Sequence, residues 1–173
     1  MEKTEITTVK SKVDPKIAVR EAIDPEKYDE YRKLWDDATN LKIVTDFPLQ
    51  IDFELNYSCN FTCPMCTWNA ESTKNKGAAT WFDFEVFKEV IDDAVVKGLK
   101  SIRLNYINEP LIRKDITKFI AYARKAGILD IYFSTNGSLL TDEVSKELIN
   151  SGLLRLQISL DAHTKETYEK IRT

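Results

Sequence analysis

Three cysteines within one eight-residue stretch are the residues whose type and spacing most clearly predict chemistry. Cys59, Cys63 and Cys66 form a CxxxCxxC pattern and are the only cysteines in the sequence. An odd number of thiols on one short loop argues against a disulfide framework. Three thiolates can converge on one metal centre, and they are one fewer than a closed structural site normally uses. The pattern therefore predicts a metal site with an open coordination position.

The elements that must position this loop alternate between strands and helices. Residues 49–55 have a period-two pattern that predicts a strand leading directly into the cysteines. The other predicted elements are strands over 101–106, 129–134 and 154–160 and helices over 83–97, over 115–126, from Thr141 or Asp142 to Gly152, and from Thr164 onward. Strands joined by helices of this length form right-handed crossovers in a parallel sheet. The predicted fold class is therefore α/β.

The N-terminal part of the chain is predicted to stand apart from this repeat. Residues 1–23 are polar and lack periodicity, which is typical of a loosely ordered arm. Residues 25–38 begin with Pro25 and carry apolar side chains at helical spacing, so a helix packed on the outside of the domain is expected. The chain thus divides into an arm and helix over 1–47 and a core over 48–173.

The predicted strands alternate apolar and polar residues, whereas buried parallel strands usually read as continuous apolar runs. If the apolar faces meet the helices, the polar faces line a common interior that a ligand or ordered water must fill. The alternative is an open sheet with one solvated face. On the polar face, Arg103 and Arg155 either neutralise a carboxylate in that interior or pair with Asp52 or Glu54 in a structural network.

Length and composition exclude several classes of function. The chain has 173 residues, 43% of them hydrophobic, which suffices for one core but is short of the roughly 250 residues of a complete eight-fold barrel. The net charge of −3, with both signs interspersed, is not the basic footprint of a nucleic-acid-binding protein. No apolar stretch approaches the roughly 20 residues of a membrane span. A cytoplasmic location without membrane or nucleic-acid partners is expected.

The CxxxCxxC loop, placed after a first strand in a chain of β/α units, resembles that of the radical S-adenosylmethionine (SAM) superfamily. The resemblance implies that Cys59, Cys63 and Cys66 hold three irons of a 4Fe-4S cluster. It also implies that the amino and carboxylate groups of SAM chelate the fourth iron, at the open position. The implied fold is a parallel (β/α) partial barrel, of which this chain covers about four of six β/α units after an N-terminal helical extension.

Three later motifs extend the resemblance. Asn108-Glu109-Pro110 resembles the family's Gly-Glu-Pro motif, in which the backbone and Glu recognise the amino group of SAM, although Asn108 replaces a glycine. Ser134 and Asn136 lie in a Ser-Thr-Asn-Gly run, and Ser159 and Asp161 in a Ser-Leu-Asp segment, whose polar groups reach the ribose and carboxylate of SAM in that family.

Met65, before the third cysteine, replaces the aromatic residue that many members place over the adenine, and methionine is a polarizable substitute found in members that modify peptides. The SPASM-type subgroup is one candidate. The resemblance implies the N-terminal part of a longer enzyme, an oxidoreductase or transferase that cleaves SAM to a 5′-deoxyadenosyl radical. The implied partners are an external one-electron reductant of the flavodoxin or ferredoxin type and a small-molecule or peptide substrate.

Two alternatives remain open from the residues alone. The first is an iron-sulfur electron carrier that does not consume SAM. The second is a zinc-stabilised binding module in which His163 or a carboxylate supplies a fourth ligand beside the three cysteines.

Overall fold

The computed structural model describes residues 23–67 and 80–173. The arm expected over residues 1–23, apart from its last residue, lies outside the described residues, as does the part of the cysteine loop over 68–79.

In the described part of the chain, four parallel strands form one sheet in sequential order. They are β1 (Gln50–Asp52), β2 (Ser101–Arg103), β3 (Asp130–Thr135) and β4 (Arg155–Ile158). In the register, Ile51 lies opposite Ile102, and Ile102 lies opposite Ile131. The predicted α/β class and parallel sheet are confirmed.

Within residues 23–67 and 80–173, five α-helices accompany the sheet, and their ends lie close to the predicted positions. They are α1 (Pro25–Thr39), α2 (Phe84–Val96), α3 (Ile116–Ala126), α4 (Asp142–Ser151) and α5 (Lys165–Ile171). The Asp83 carboxylate begins α2 by accepting hydrogen bonds from two backbone N–H groups at 2.8 and 3.0 Å. Gly127 ends α3 with a φ of 104°, a left-handed conformation that favours glycine. Local sequence therefore sets the lengths of these helices.

The apolar face of the sheet meets the helices, as the alternation predicted. Ile102 on β2, Leu104 directly after it, and Ile131 and Phe133 on β3 are fully buried. They form one core with buried residues of α2 and α3, among them Phe87, Ile91, Phe119 and Ile120. The rings of Phe87 and Phe119 meet edge to face with their centres 4.9 Å apart. This packing leaves the opposite, polar face of the sheet available for a site.

Polar side chains on that opposite face bond partly to one another. Gln50 Oε1 accepts hydrogen bonds from the hydroxyls of Ser101 at 3.1 Å and Tyr132 at 3.2 Å. Ser134 donates to Gln157 Oε1 at 3.0 Å on the neighbouring strand. The strands therefore satisfy several of these polar groups directly, and only the remaining groups need a ligand or ordered water.

Strands β1, β2 and β4 are shorter than predicted, whereas β3 has the predicted length of six residues. Side chains replace the backbone hydrogen-bond partners after the end of β2. Beyond β2, the Glu54 carboxylate accepts hydrogen bonds from the N–H groups of Tyr106 and Ile107. Asn105 Oδ1 likewise accepts from the N–H of Ser134 at 2.9 Å. These contacts turn the chain out of the sheet where the alternation alone predicted continued pairing.

Helix α1 contacts the sheet at the start of β3. Tyr31 of this helix is buried, and its hydroxyl donates to Asp130 Oδ2 at 3.3 Å at the start of β3. Helix α1, whose other residues are exposed or partly exposed, therefore packs on the outside of the core at the amino ends of the strands.

Arg155 belongs to the same hydrogen-bond network, which shows that this arginine has a structural partner. Its Nε and Nη2 donate to the two oxygens of Asp130 at 2.9 and 2.6 Å. The structural alternative for this arginine is thus confirmed, but its partner is Asp130 and neither Asp52 nor Glu54.

None of the described helices combines the length and apolarity that crossing a lipid bilayer requires.

Candidate active site

A cleft of about 280 Å³ lies at the carboxyl ends of the strands, where α/β proteins form their ligand sites. Its walls come from the cysteine loop, from the segments after β2, β3 and β4, and from the end of α5. The lining residues are Cys59, Phe61, Cys63, Cys66, Arg103, Asn105, Tyr106, Ile107, Asn108, Glu109, Ser134, Thr135, Asn136, Ser159 and Arg172. Sequence positions more than 100 residues apart therefore meet around one concave surface.

All three cysteines line this cleft. Cys63 is buried, whereas Cys59 and Cys66 are partly exposed. The loop is tight, because the N–H of Cys66 donates to the carbonyl of Cys63 at 3.0 Å and the N–H of Phe61 lies 3.5 Å from Cys59 Sγ. Burial raises the pKa of the Cys59 thiol, so a nearby cation is needed to hold it as a thiolate at neutral pH.

The residues around the cleft fit a polar, metal-containing ligand. Three sulfur donors on one wall suit iron-sulfur or zinc chemistry. Two buried polar atoms of lining residues, Arg103 Nε and Asn108 Oδ1, have no hydrogen-bond partner within the described ranges. His163 is exposed and is not a lining residue, so it offers no fourth ligand beside the thiols. Across residues 23–67 and 80–173, no three or more His, Cys, Asp or Glu side chains are arranged to hold a metal ion, so the cysteines fit such a ligand by the type of their donor atoms and by lining one cleft.

Asn108 ties the segment after β2 to the cysteine loop. Its Nδ2 donates to the Asn56 carbonyl at 2.7 Å and also contacts Asn56 Oδ1. The Asn56 amide in turn donates to Ser58 Oγ at 2.9 Å and to the Glu109 carbonyl at 3.3 Å. The side chain that stands in place of glycine thus bonds the base of the cysteine loop and stabilises its position.

Glu109 is almost completely buried, at 1% exposure, and its carboxylate joins two walls of the cleft. Oε1 accepts from the N–H of Leu111 at 3.0 Å and from the hydroxyl of Thr135 at 2.8 Å. Oε2 accepts from the N–H of Asn136 at 2.8 Å. A carboxylate has about four acceptor positions, so three are used within the chain and about one remains for a ligand.

Asn136 connects the turn after β3 to the cysteine loop. Its Nδ2 donates to Asn60 Oδ1 at 2.9 Å, and its own Oδ1 accepts from the N–H and hydroxyl of Ser138. Asn60 also donates to Ser138 Oγ at 2.9 Å. This closed set of hydrogen bonds places the Asn136 side chain beside the cysteines.

Comparison with known proteins agrees with this architecture. Residues 53–173 match the family model described as the radical SAM superfamily. This chain belongs to the radical SAM superfamily. The cofactors of the family are a 4Fe-4S cluster and SAM, and the implied fold, a partial barrel, is confirmed.

Individual relatives of the radical SAM chain differ in what they act on. An AdoMet-dependent heme synthase of Methanosarcina barkeri is 33% identical over 129 residues, which are 75% of this chain and 36% of that protein. The solved structure of Streptococcus suis SuiB bound to precursor peptide SuiA has a TM-score of 0.61 at 18% identity, over 82% of this chain and 30% of that one. BtrN in complex with AdoMet and 2-DOIA has a TM-score of 0.58 at 20% identity, over 74% and 52%. The chain spans about a third of the length of the curated relatives it matches.

Most of the residues that the radical SAM resemblance singled out line the cleft, but two do not. Met65 is about half exposed and lies outside the lining. Asp161 also lies outside it, and its Oδ2 accepts from Arg172 Nε at 2.5 Å. Their roles toward SAM stay predictions.

Sequence reasoning overlooked Arg172, which lines the cleft in this radical SAM chain. Its position depends on where the short helix α5 ends, so no spacing signal identifies it. Arg103 also lines the cleft. The sequence alone did not decide whether this arginine has a ligand role or a structural one.

Proposed function

We propose that this chain is the N-terminal, catalytic part of a radical SAM enzyme, with Cys59, Cys63 and Cys66 as cluster ligands. One observation carries the proposal. The three thiols and at least one residue from each of the three later motifs, which are separated by up to 100 positions in sequence, line one cleft at the carboxyl ends of the strands. The proposed core covers residues 48–173, and residues 1–47 are the proposed N-terminal arm and helix.

When bound, the cluster would supply an electron to the sulfonium of SAM, and the resulting 5′-deoxyadenosyl radical would abstract hydrogen from a substrate. The chain contributes the geometry of that reaction. Cys59, Cys63 and Cys66 line one cleft and would hold the cluster there. The cleft walls limit access of water to the reacting atoms.

The charged groups of the cleft match the polar end of SAM. The Glu109 carboxylate retains about one acceptor position, which suits the ammonium group. Arg172 presents a guanidinium to the cleft, which suits the carboxylate. Ser134, Asn136 and Ser159 supply hydroxyl and amide groups on the remaining wall for the ribose and carboxylate oxygens.

The remaining predicted contacts complete the proposal. Met65 covers the adenine from the rim of the cleft, Asp161 acts through Arg172, and the backbone of Asn108 contacts the ammonium group. An external one-electron reductant of the flavodoxin or ferredoxin type supplies electrons, and the substrate is a small molecule or a peptide.

Anaerobic reconstitution with iron and sulfide tests the proposal. The wild-type chain should bind about four irons and release 5′-deoxyadenosine from SAM when dithionite is added. Cys63→Ser should lose iron and product, whereas Ser145→Ala, on the distant helix α4, should retain both. A colourless zinc protein would reject the proposal, and reversible reduction without consumption of SAM would identify an electron carrier instead.

A further inference from the structure

Arg103 lies on the polar face of the sheet and lines the same cleft as the cysteines. It is the last paired residue of β2, with Asp52 opposite on β1 and Tyr132 opposite on β3. Its guanidinium carbon is 5.8 Å from the centre of the Tyr106 ring. Its Nε is buried and has no hydrogen-bond partner within the described residues.

Other cleft or strand arginines have protein partners. Arg155 binds both oxygens of Asp130, and Arg172 binds Asp161. Arg103 forms no ion pair within the part of the chain that the structure describes, although Asp52 is its neighbour in the register. The Asp52 carboxylate instead accepts a hydrogen bond from Gln50 at 2.8 Å.

Arg103 is suited to bind an anion, because within the described residues its buried Nε has no acceptor and its charge has no ion-pair partner. A buried N–H without an acceptor destabilises the protein, and a partly buried guanidinium without a counter-charge adds to that cost. A carboxylate or phosphate accepts two parallel hydrogen bonds from a guanidinium and so satisfies both. The exposed ring of Tyr106 beside Arg103 offers an apolar surface for the part of the ligand that carries this group.

We infer that Arg103 binds an oxyanion group, carboxylate or phosphate, of the substrate. The inference rests on the proposed function and adds a class of substrate to it. Arg172 lies near Cys63, where the polar end of SAM is proposed to bind. Arg103 lies within β2, two residues or about 6–7 Å along the chain before Asn105. It is therefore deeper in the sheet than the Asn108-Glu109-Pro110 motif, which follows the end of the strand. The two guanidiniums thus serve two different anions.

Isothermal titration calorimetry on the reconstituted, SAM-saturated chain tests this assignment with two probes, pyrophosphate and succinate. The wild-type chain should bind one equivalent of at least one probe, and the preferred probe identifies phosphate or carboxylate as the group. Arg103→Gln should weaken binding by about tenfold or more, because a charged hydrogen-bonding partner is lost. Arg103→Lys should retain part of the affinity, because the charge remains without the planar fork. Arg32→Gln, on the surface of α1, should bind like wild type.

Several results would overturn the inference. The first is unchanged anion affinity in Arg103→Gln, and the second is no binding of either probe by the wild-type chain. The third is a loss of SAM affinity in Arg103→Gln equal to its loss of anion affinity, which would assign Arg103 to the cofactor. Repeating the titration on the chain without iron and SAM separates the two proposals. Arg103-dependent anion binding there, together with no release of 5′-deoxyadenosine, would reject the proposed function and keep the anion site.

Discussion

Replacement of Glu109 tests whether its carboxylate stabilises the walls of the cleft and also binds a ligand. The carboxylate is 1% exposed and accepts three hydrogen bonds from Leu111, Thr135 and Asn136. Glu109→Ala removes both acceptor oxygens and all three hydrogen bonds, and it leaves two backbone N–H groups and the Thr135 O–H without an acceptor. Glu109→Gln keeps the volume and one acceptor oxygen, but its amide N–H₂ faces groups that are themselves donors.

The expected magnitudes follow from these contacts. Hydrogen bonds to a charged group contribute about 1.5–3 kcal/mol each, and a buried donor without an acceptor costs about 1–3 kcal/mol. Water can enter the space left by Glu109→Ala and satisfy part of the loss, so we expect the free energy of unfolding to fall by about 3–5 kcal/mol rather than by the full sum. Glu109→Gln should cost about 1–3 kcal/mol, because only part of the network is lost.

Anaerobic urea titration followed by circular dichroism measures these values, with Glu147→Gln on the exposed side of α4 as the control within about 0.5 kcal/mol of wild type. SAM titration of the Glu109→Gln protein gives a second readout, and its affinity should fall about tenfold because a neutral amide replaces a carboxylate. A Glu109→Ala protein as stable as the control would refute the network argument. Reduced stability with wild-type SAM affinity would restrict Glu109 to positioning the turn after β3.

Two further predictions concern the amino ends of the strands. Burial, followed by the nearby Asp130 charge, raises the pKa of Tyr31 from 10.0 to about 12. The protonated hydroxyl therefore contributes stability fully below pH 10, and we expect about 2–3 kcal/mol to be lost between pH 10 and 12 in wild type but not in Tyr31→Phe, as measured by urea titration at each pH. Arg155→Met should lower the free energy of unfolding by about 2–4 kcal/mol at neutral pH, because it leaves the buried Asp130 without its ionic partner, whereas Arg103→Met should leave it unchanged or raise it slightly, because it removes a buried N–H that has no acceptor. Equal losses for the two arginine variants in thermal or urea unfolding would contradict the different roles assigned to them.

The helices could be predicted closely from the sequence because their end signals are local. Asp83 accepts from N–H groups two and three residues away, and Gly127 adopts its left-handed conformation directly after α3. The apolar faces of the strands were also predictable, because alternation with period two assigns Ile102 and Leu104 to the same side.

The ends of the strands and the partners of charged residues depend on contacts that sequence spacing does not encode. Glu54 ends the pairing of β2 through N–H groups more than 50 residues away. Arg155 finds Asp130 because the neighbouring strands place the two side chains within reach. Arg172 reaches the cleft because of where α5 ends. The cysteine loop was recognisable from its own sequence pattern, but several of the residues that line the cleft with it could be identified only from the fold.

The most direct test of the account is the electron paramagnetic resonance spectrum of the reconstituted, dithionite-reduced chain, recorded before and after SAM is added. If Cys59, Cys63 and Cys66 leave one iron without a protein ligand, SAM occupies that position and the spectrum of the reduced cluster changes. A reduced cluster whose spectrum is the same with and without SAM would contradict the account, because the open position would then not be the binding site of SAM.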